Sequence, residues 1–306
     1  MNLPLRKRLT TMQAKRTGEV EKAGTPDEFV RYTTSRARPA LFLFLPQSMR
    51  YEHVFSVRRA LEGKRFDELD LVIHSGGGDI QAAYQIAKLL RIHAKKVIAC
   101  VPLFAKSAAT LLCIGADEII LDDVAELGPL DTQVFEQKRG GKGEFTSALN
   151  PFKALEQLQK FSLETLDLTV KMIQRRSGMD LDECLKHATE FVRVTTEPLF
   201  KQLDPVKLGE YSRALSVGKE YGNRLLSRFL GWDEDKRTLV LDRLVLGYPS
   251  HDYIIDYHEL RDMGFQARLF DEKEREAVGD LIQLILQEKT VIDCVSPPER
   301  QALGVG

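Results

Sequence analysis

Two short stretches hold the residue types that acyl transfer requires. Ser75-Gly76-Gly77-Gly78-Asp79 follows the apolar run 71–73, and Lys106-Ser107-Ala108 follows the run 97–101 and Pro102. Glycine reaches positive φ and lets a main chain close on a ligand, so the N–H groups of Gly77 and Gly78 can be aimed at a developing oxyanion. Ser107 opens a second apolar helical stretch running through Leu112. That start sets the N–H of Ala108 beside the hydroxyl and the positive end of a helix dipole beneath it. A hydroxyl nucleophile and backbone donors are the parts of an acyl-transfer site. The same residues have a plainer reading. Glycine turns between strand and helix also cradle phosphates or serve packing, and a serine ahead of an apolar helix caps it. On residue types and spacing alone, both readings stand.

The elements that must position these residues follow from hydrophobic period. Ile80, Ala83, Tyr84, Ala87 and Leu90 recur at helical spacing after the glycines, so each stretch reads as strand, turn, helix. The strand 40–45, the helix 54–61 and these two units give a strand-helix rhythm through residue 121, which predicts a parallel sheet with right-handed crossovers. Both turns then emerge on one edge of that sheet. Further along, the spacing predicts a long helix over 152–176, with a break at Phe161 left open, helical segments over 180–187, 199–209 and 212–229, and a final helix over 272–289. The segment 239–246 reads as helix or strand, its spacing favouring helix. The polar glycine-rich run 137–144 reads as a surface loop.

Four ordered segments carry a resemblance: Ser75-Gly-Gly-Gly-Asp-Ile, Ser107-Ala-Ala-Thr, Gly115-Ala-Asp-Glu-Ile-Ile, and Leu127-Gly-Pro-Leu-Asp-Thr-Gln133. Together they resemble the Clp-fold serine peptidases, in particular the serine dehydrogenase proteinase family, related to signal peptide peptidase A. The resemblance covers 39–133 and returns over 248–264, where His251-Asp252 matches the family's usual His-Asp pair. It implies an α/β fold, the Clp/crotonase-type spiral of ββα units with a mainly parallel sheet and a helical C-terminal region. It implies peptide-bond hydrolysis through Ser107, an oxyanion hole from Gly77, Gly78 and Ala108, a peptide or protein substrate, and a homo-oligomer. No cofactor and no metal are implied.

A serine hydroxyl needs a base within hydrogen-bond reach. In the Clp protease subunit a histidine stands roughly where this chain has Gly128, so that triad does not transfer. The signal-peptide-peptidase branch uses a neutral lysine instead, whose pKa burial must lower. Lys160 resembles the position of that lysine; Lys153 lies two turns earlier, and Lys142 is a weaker third. His251 is the alternative base, with Asp131 as its possible orienting acid. His74 ends a buried strand and reads as a satisfied core histidine. Lys106, where a small or apolar residue is expected, either faces solvent or holds a substrate carboxylate.

Composition narrows the classes. The chain of 306 residues is 43% hydrophobic, enough for a sizeable core, and its net charge of −1 argues against nucleic acid or an anionic membrane as a partner. Its four cysteines have no metal spacing and suit a reducing, cytoplasmic setting. No apolar run is long enough for a signal-peptide core or a membrane span. The expected organisation is a polar helical or disordered arm over 1–35, a peptidase-like domain over 36–270, and a C-terminal helix and tail over 271–306. Two other functions compete with the hydrolase: a catalytically silent scaffold or partner-binding protein of the same fold, and crotonase-type acyl-CoA chemistry.

Overall fold

The computed structural model describes residues 25–130, 133–136 and 144–298. Asp131, Lys142, residues 1–24 of the arm, the loop residues 137–143 and the tail 299–306 lie outside the described residues. The order is α1 (Asp27–Arg36), β1 (Ala40–Leu45), α2 (Tyr51–Leu61), β2 (Phe66–Ser75), α3 (Ile80–His93), β3 (Ala94–Val101), β4 (Phe104–Ala105), α4 (Ala108–Ile114), β5 (Glu118–Leu121) and β6 (Glu126–Leu127). A hairpin of β7 (Gln133–Glu136) and β8 (Glu144–Ser147) follows, then α5 (Asn150–Ser177), α6 (Leu181–Phe200), α7 (Pro205–Leu230) and α8 (Glu234–Leu246). The chain closes with α9 (Tyr257–Asp262), β9 (Ala267–Leu269), α10 (Glu272–Ile285) and β10 (Val291–Val295).

The main sheet runs β10-β1-β2-β3-β5-β9, with β4 bridging β2 to β6. All its pairings are parallel except β1 with β10. It is the curled, mainly parallel sheet with a helical C-terminal region that the resemblance implied. Strand alternation sends Leu41, Leu43, Leu71, Ile73, Ala99 and Val101 to one face, packed against helices that include α2, α3 and α4. Phe42, Phe44, Val72, Ile98 and Cys100 go to the other, covered by Phe29 and Tyr32 of α1 and by Val278 and Leu281 of α10. Each fully buried aliphatic or aromatic side chain contributes roughly 1.5–3 kcal/mol. Both faces being covered explains why β1 and residues 71–73 of β2 read as unbroken apolar runs.

Three expectations need correction. Residues 27–36 are not part of a solvated arm: Phe29 and Tyr32, spaced i, i+3 on one face of α1, are fully buried under the sheet. The helix expected over 180–187 continues unbroken to Phe200 and carries Pro198 inside it. Leu181, Cys184, Leu185, Ala188 and Val192 recur at helical spacing along it, so the helical period continues beyond His187 in the sequence itself. The final strand Val291–Val295 was not expected; it adds antiparallel to β1 at the sheet's edge, a pairing between residues some 250 apart in the chain. Helix α5 is continuous through Phe161, and 239–246 is helix, as its spacing favoured.

Candidate active site

Both turns do reach the same edge of the sheet, and they touch. A Cβ built on Gly77 would lie 2.7 Å from the Ser107 Cβ, 2.7 Å from the Lys106 carbonyl oxygen and 3.1 Å from the Ala108 nitrogen. Only a residue without a side chain permits that approach, and its φ of +100° is glycine's own region. Gly78, at φ +135°, is hemmed by the opposite neighbour: its added Cβ would lie 2.5 Å from the Met49 nitrogen. The Met49 N–H donates to the Gly77 carbonyl at 2.7 Å, and the Asp79 N–H donates to the Met49 carbonyl at 2.9 Å. Asp79 then caps α3 through the N–H groups of Gln81 and Ala82. The glycine turn is therefore fixed on one side by Met49 and on the other by the serine turn.

Ser107 is the N-cap of α4 in position but not in conformation. Its φ of 52° and ψ of −118° put it in a region that costs a non-glycine residue on the order of 1–3 kcal/mol, and its side chain makes no cap hydrogen bond. The plainer reading, a serine that merely caps a helix, does not fit that geometry. Ser107 is 6% exposed. The surrounding turn is tightly held: the Lys106 N–H donates to the Ser75 carbonyl at 3.0 Å, and the Ala109 N–H donates to the Lys106 carbonyl at 2.9 Å. The buried Thr110 hydroxyl lies 2.9 Å from the Ala105 carbonyl and 2.8 Å from that of Gly128, donating between the two.

The donors sort themselves by their existing bonds. The N–H of Gly77 is engaged, donating to the Ser75 hydroxyl at 3.1 Å. The Met49 ladder uses the Gly77 carbonyl and the Asp79 N–H, which leaves the Gly78 N–H outside it. Ala108 is the first residue of α4, where an N–H has no partner within the helix.

The base candidates separate as well. Lys160 is 66% exposed on α5 and pairs with Glu164 at 3.9 Å. Lys153, seven residues earlier and so about 10 Å along the helix axis, is 44% exposed and lies 3.6 Å from Glu156. Neither is buried, and each stands beside a carboxylate. Lys153 and His251 share a small cavity lined also by Pro129, Leu149, Tyr248 and Ser250, and Lys160 is not part of it. Gly128, the neighbour of the lining residue Pro129, is joined to β4 by its N–H, which donates to the Ala105 carbonyl at 3.2 Å.

Two further residues depart from expectation. Lys106 neither faces solvent nor waits for a substrate carboxylate: its ammonium is 2.6 Å from Glu126, with the side chain 14% exposed. His74 is buried but not satisfied. Its Nδ1 has no hydrogen-bond partner among the described residues, its ring stands 4.0 Å from that of Phe104, and burial pushes its pKa down to about 4. The described residues gather no cluster of metal-ligating side chains, and none of their helices is long and apolar enough to cross a membrane.

A family model described as ClpP-like SDH-type serine proteinase matches residues 43–171, which span the sequence from β1 into α5 and include both turns. The uncharacterized protein MJ0137 of Methanocaldococcus jannaschii is 43% identical over 79 residues, covering 26% of this chain and 28% of that protein. The uncharacterized protein MJ1495 of the same organism is 34% identical over 111 residues, covering 32% and 38%. The match thus spans well under half the length of either relative. A solved serine-to-alanine mutant of the 1510-N membrane-bound stomatin-specific protease is 14% identical, covers 45% of this chain and 64% of its own, and superposes with a TM-score of 0.27, too distant to bear on the site. Over residues 43–171 the chain is thus similar to the ClpP-like SDH-type serine proteinases.

Proposed function

We propose that this protein is a serine endopeptidase whose nucleophile is Ser107. The observation that carries the reading is the contact of Gly77 with Ser107: a strained, left-handed serine seated on a glycine turn that tolerates no side chain. Such strain persists only where the surroundings over-determine it, and it gathers at functional sites. In the reaction the Ser107 hydroxyl attacks the carbonyl carbon of a peptide bond and passes its proton to the base. The N–H groups of Gly78 and Ala108 receive the oxyanion. Collapse of the tetrahedral intermediate expels the amine, which takes the proton from the base, and water then attacks the acyl-enzyme by the same route.

For the base, the shared cavity favours His251 and Lys153 over Lys160. Between those two, His251 is the better fit, because an imidazole is a base near neutrality without burial whereas an amine is not. Substrates are unfolded proteins or peptides, acted on by an assembly of several copies. Hydrolysis of an unfolded casein substrate tests the reading: the wild type is expected to cleave it, with Ser107→Ala reduced by at least 1,000-fold, in line with losing a nucleophile. Equal cleavage by the two proteins would remove Ser107 from the mechanism, and no cleavage by either would favour the silent scaffold.

A further inference from the structure

Lys106 is the one charged residue in the nucleophile turn, and its side chain is directed inward. Its ammonium is 2.6 Å from the Glu126 carboxylate and 3.5 Å from the Tyr253 carbonyl, to which it donates. Its methylene stem runs across Gly128: a Cβ on that glycine would lie 2.5 Å from the Lys106 Cδ and 3.3 Å from its Cβ. Gly128 is thus as side-chain-free toward Lys106 as Gly77 is toward Ser107.

The partners of Lys106 come from two other segments. Glu126 belongs to β6, which pairs with β4 just before the nucleophile. Tyr253 belongs to the loop after α8 that also holds His251, and this loop joins β6 through the reciprocal bonds of Leu127 and Ile255 at 2.9 and 3.0 Å. We infer that Lys106 is a positioning residue that ties the nucleophile turn to β6 and to the His251 loop, setting the base-bearing cavity relative to Ser107. This rests on the proposed peptidase reading. A carboxylate partner already held at 2.6 Å leaves the Lys106 ammonium poorly placed to recruit substrate.

Two measurements on the full chain test the inference. The first is the rate at which a fluorophosphonate probe phosphonylates the protein, which reads the activation of Ser107. Lys106→Met and Glu126→Gln are each expected to slow labelling at least tenfold, while Lys106→Arg, which keeps the charge and the stem, stays within threefold of wild type. The second is amide hydrogen exchange, which does not depend on catalysis. Lys106→Met is expected to raise exchange in residues 250–255 and 106–109 together, with the α1 and α10 amides unchanged. Glu126→Gln supplies the same readout should Lys106→Met fold poorly. Unchanged labelling and unchanged exchange in 250–255 would overturn the inference. Faster exchange in a protein whose wild type does not label would instead retain the tie and sink the peptidase reading.

Discussion

Two buried polar regions of this molecule are built on opposite plans. At the Ser107 turn, precision comes from the backbone: Gly77 and Gly78 leave no room for side chains, Met49 and Ser75 supply hydrogen bonds, and charge is confined to Lys106 and Glu126 at the flank. On the far face of the sheet, cohesion comes from side-chain charge. Asp70 is fully buried and accepts from Arg36 at 2.7 Å and from the Tyr32 hydroxyl at 3.2 Å. Arg36 reaches on to Glu274, which Arg268 also holds at 2.9 Å, and Arg268 continues to Glu118 at 2.9 Å. That chain of ion pairs locks α1 and α10 onto strands β2, β5 and β9. The contrast teaches where each device belongs. A site that must stabilise a transient oxyanion needs donors aimed in advance, whereas a packing seam only needs every buried charge to have a partner.

Substitutions in the two regions should therefore fail differently. His251→Gln should lower peptidase turnover by about 10²–10⁴, the usual contribution of a general base, with little change in melting temperature; Lys153→Met losing more than His251→Gln would reassign the base. Gly77→Ala should cost about 100-fold in turnover, because displacing the serine turn by even 1 Å has consequences of that size. Asp70→Ala reverses the pattern. It leaves the Arg36 guanidinium with Glu274 as its one remaining ion-pair partner among the described residues and should remove about 3–5 kcal/mol of stability by urea unfolding, while the folded fraction keeps its labelling rate.

The seam should also show in the acid limb of stability. Burial alone would raise the Glu274 pKa, but bonds from Arg268 and from the Asp271 N–H, with the Arg36 charge, lower it from 4.5 to about 2. A carboxylate lowered in this way contributes stability that is complete above its unfolded value and is lost as pH falls from there through about 2. His74, lowered by burial from 6.5 to about 4, acts higher on the scale: its contribution is complete above pH 6.5 and is lost on descending toward 4. Melting temperature followed from pH 7 to 2 should thus fall in two stages, with His74→Asn flattening the first and Glu274→Gln the second. Smallest of all, Lys160→Ala should leave stability within about 0.5 kcal/mol and turnover within twofold, as for an exposed helix ion pair.

What could be read from the chain alone was what is local. Three glycines after an apolar strand, and a serine before an apolar helix, signal their turns within ten residues, so the Gly77–Ser107 pair and the parallel βα units were visible without coordinates. The bonds that decide between similar groups were not. That the Gly77 N–H is taken by the Ser75 hydroxyl depends on one rotamer, and that Lys106 turns inward depends on Glu126 and Tyr253, 20 and 147 residues away. The Asp70 seam joins residues 36, 70 and 274, and β10 reaches back to β1. Such contacts leave no periodic trace, because each partner looks like an ordinary surface charge or a short apolar run where it stands. Lys160 was favoured by resemblance of position; its exposure and its Glu164 neighbour are facts of packing.

The central claim is that Ser107 is an activated nucleophile. Its most direct test is to treat the folded wild-type protein with a fluorophosphonate and map the modified residue by peptide mass spectrometry. The account predicts a single phosphonylated site, at Ser107, abolished by prior heat unfolding and absent from Ser107→Ala. Modification at another serine, or equal labelling of native and unfolded protein, would contradict it.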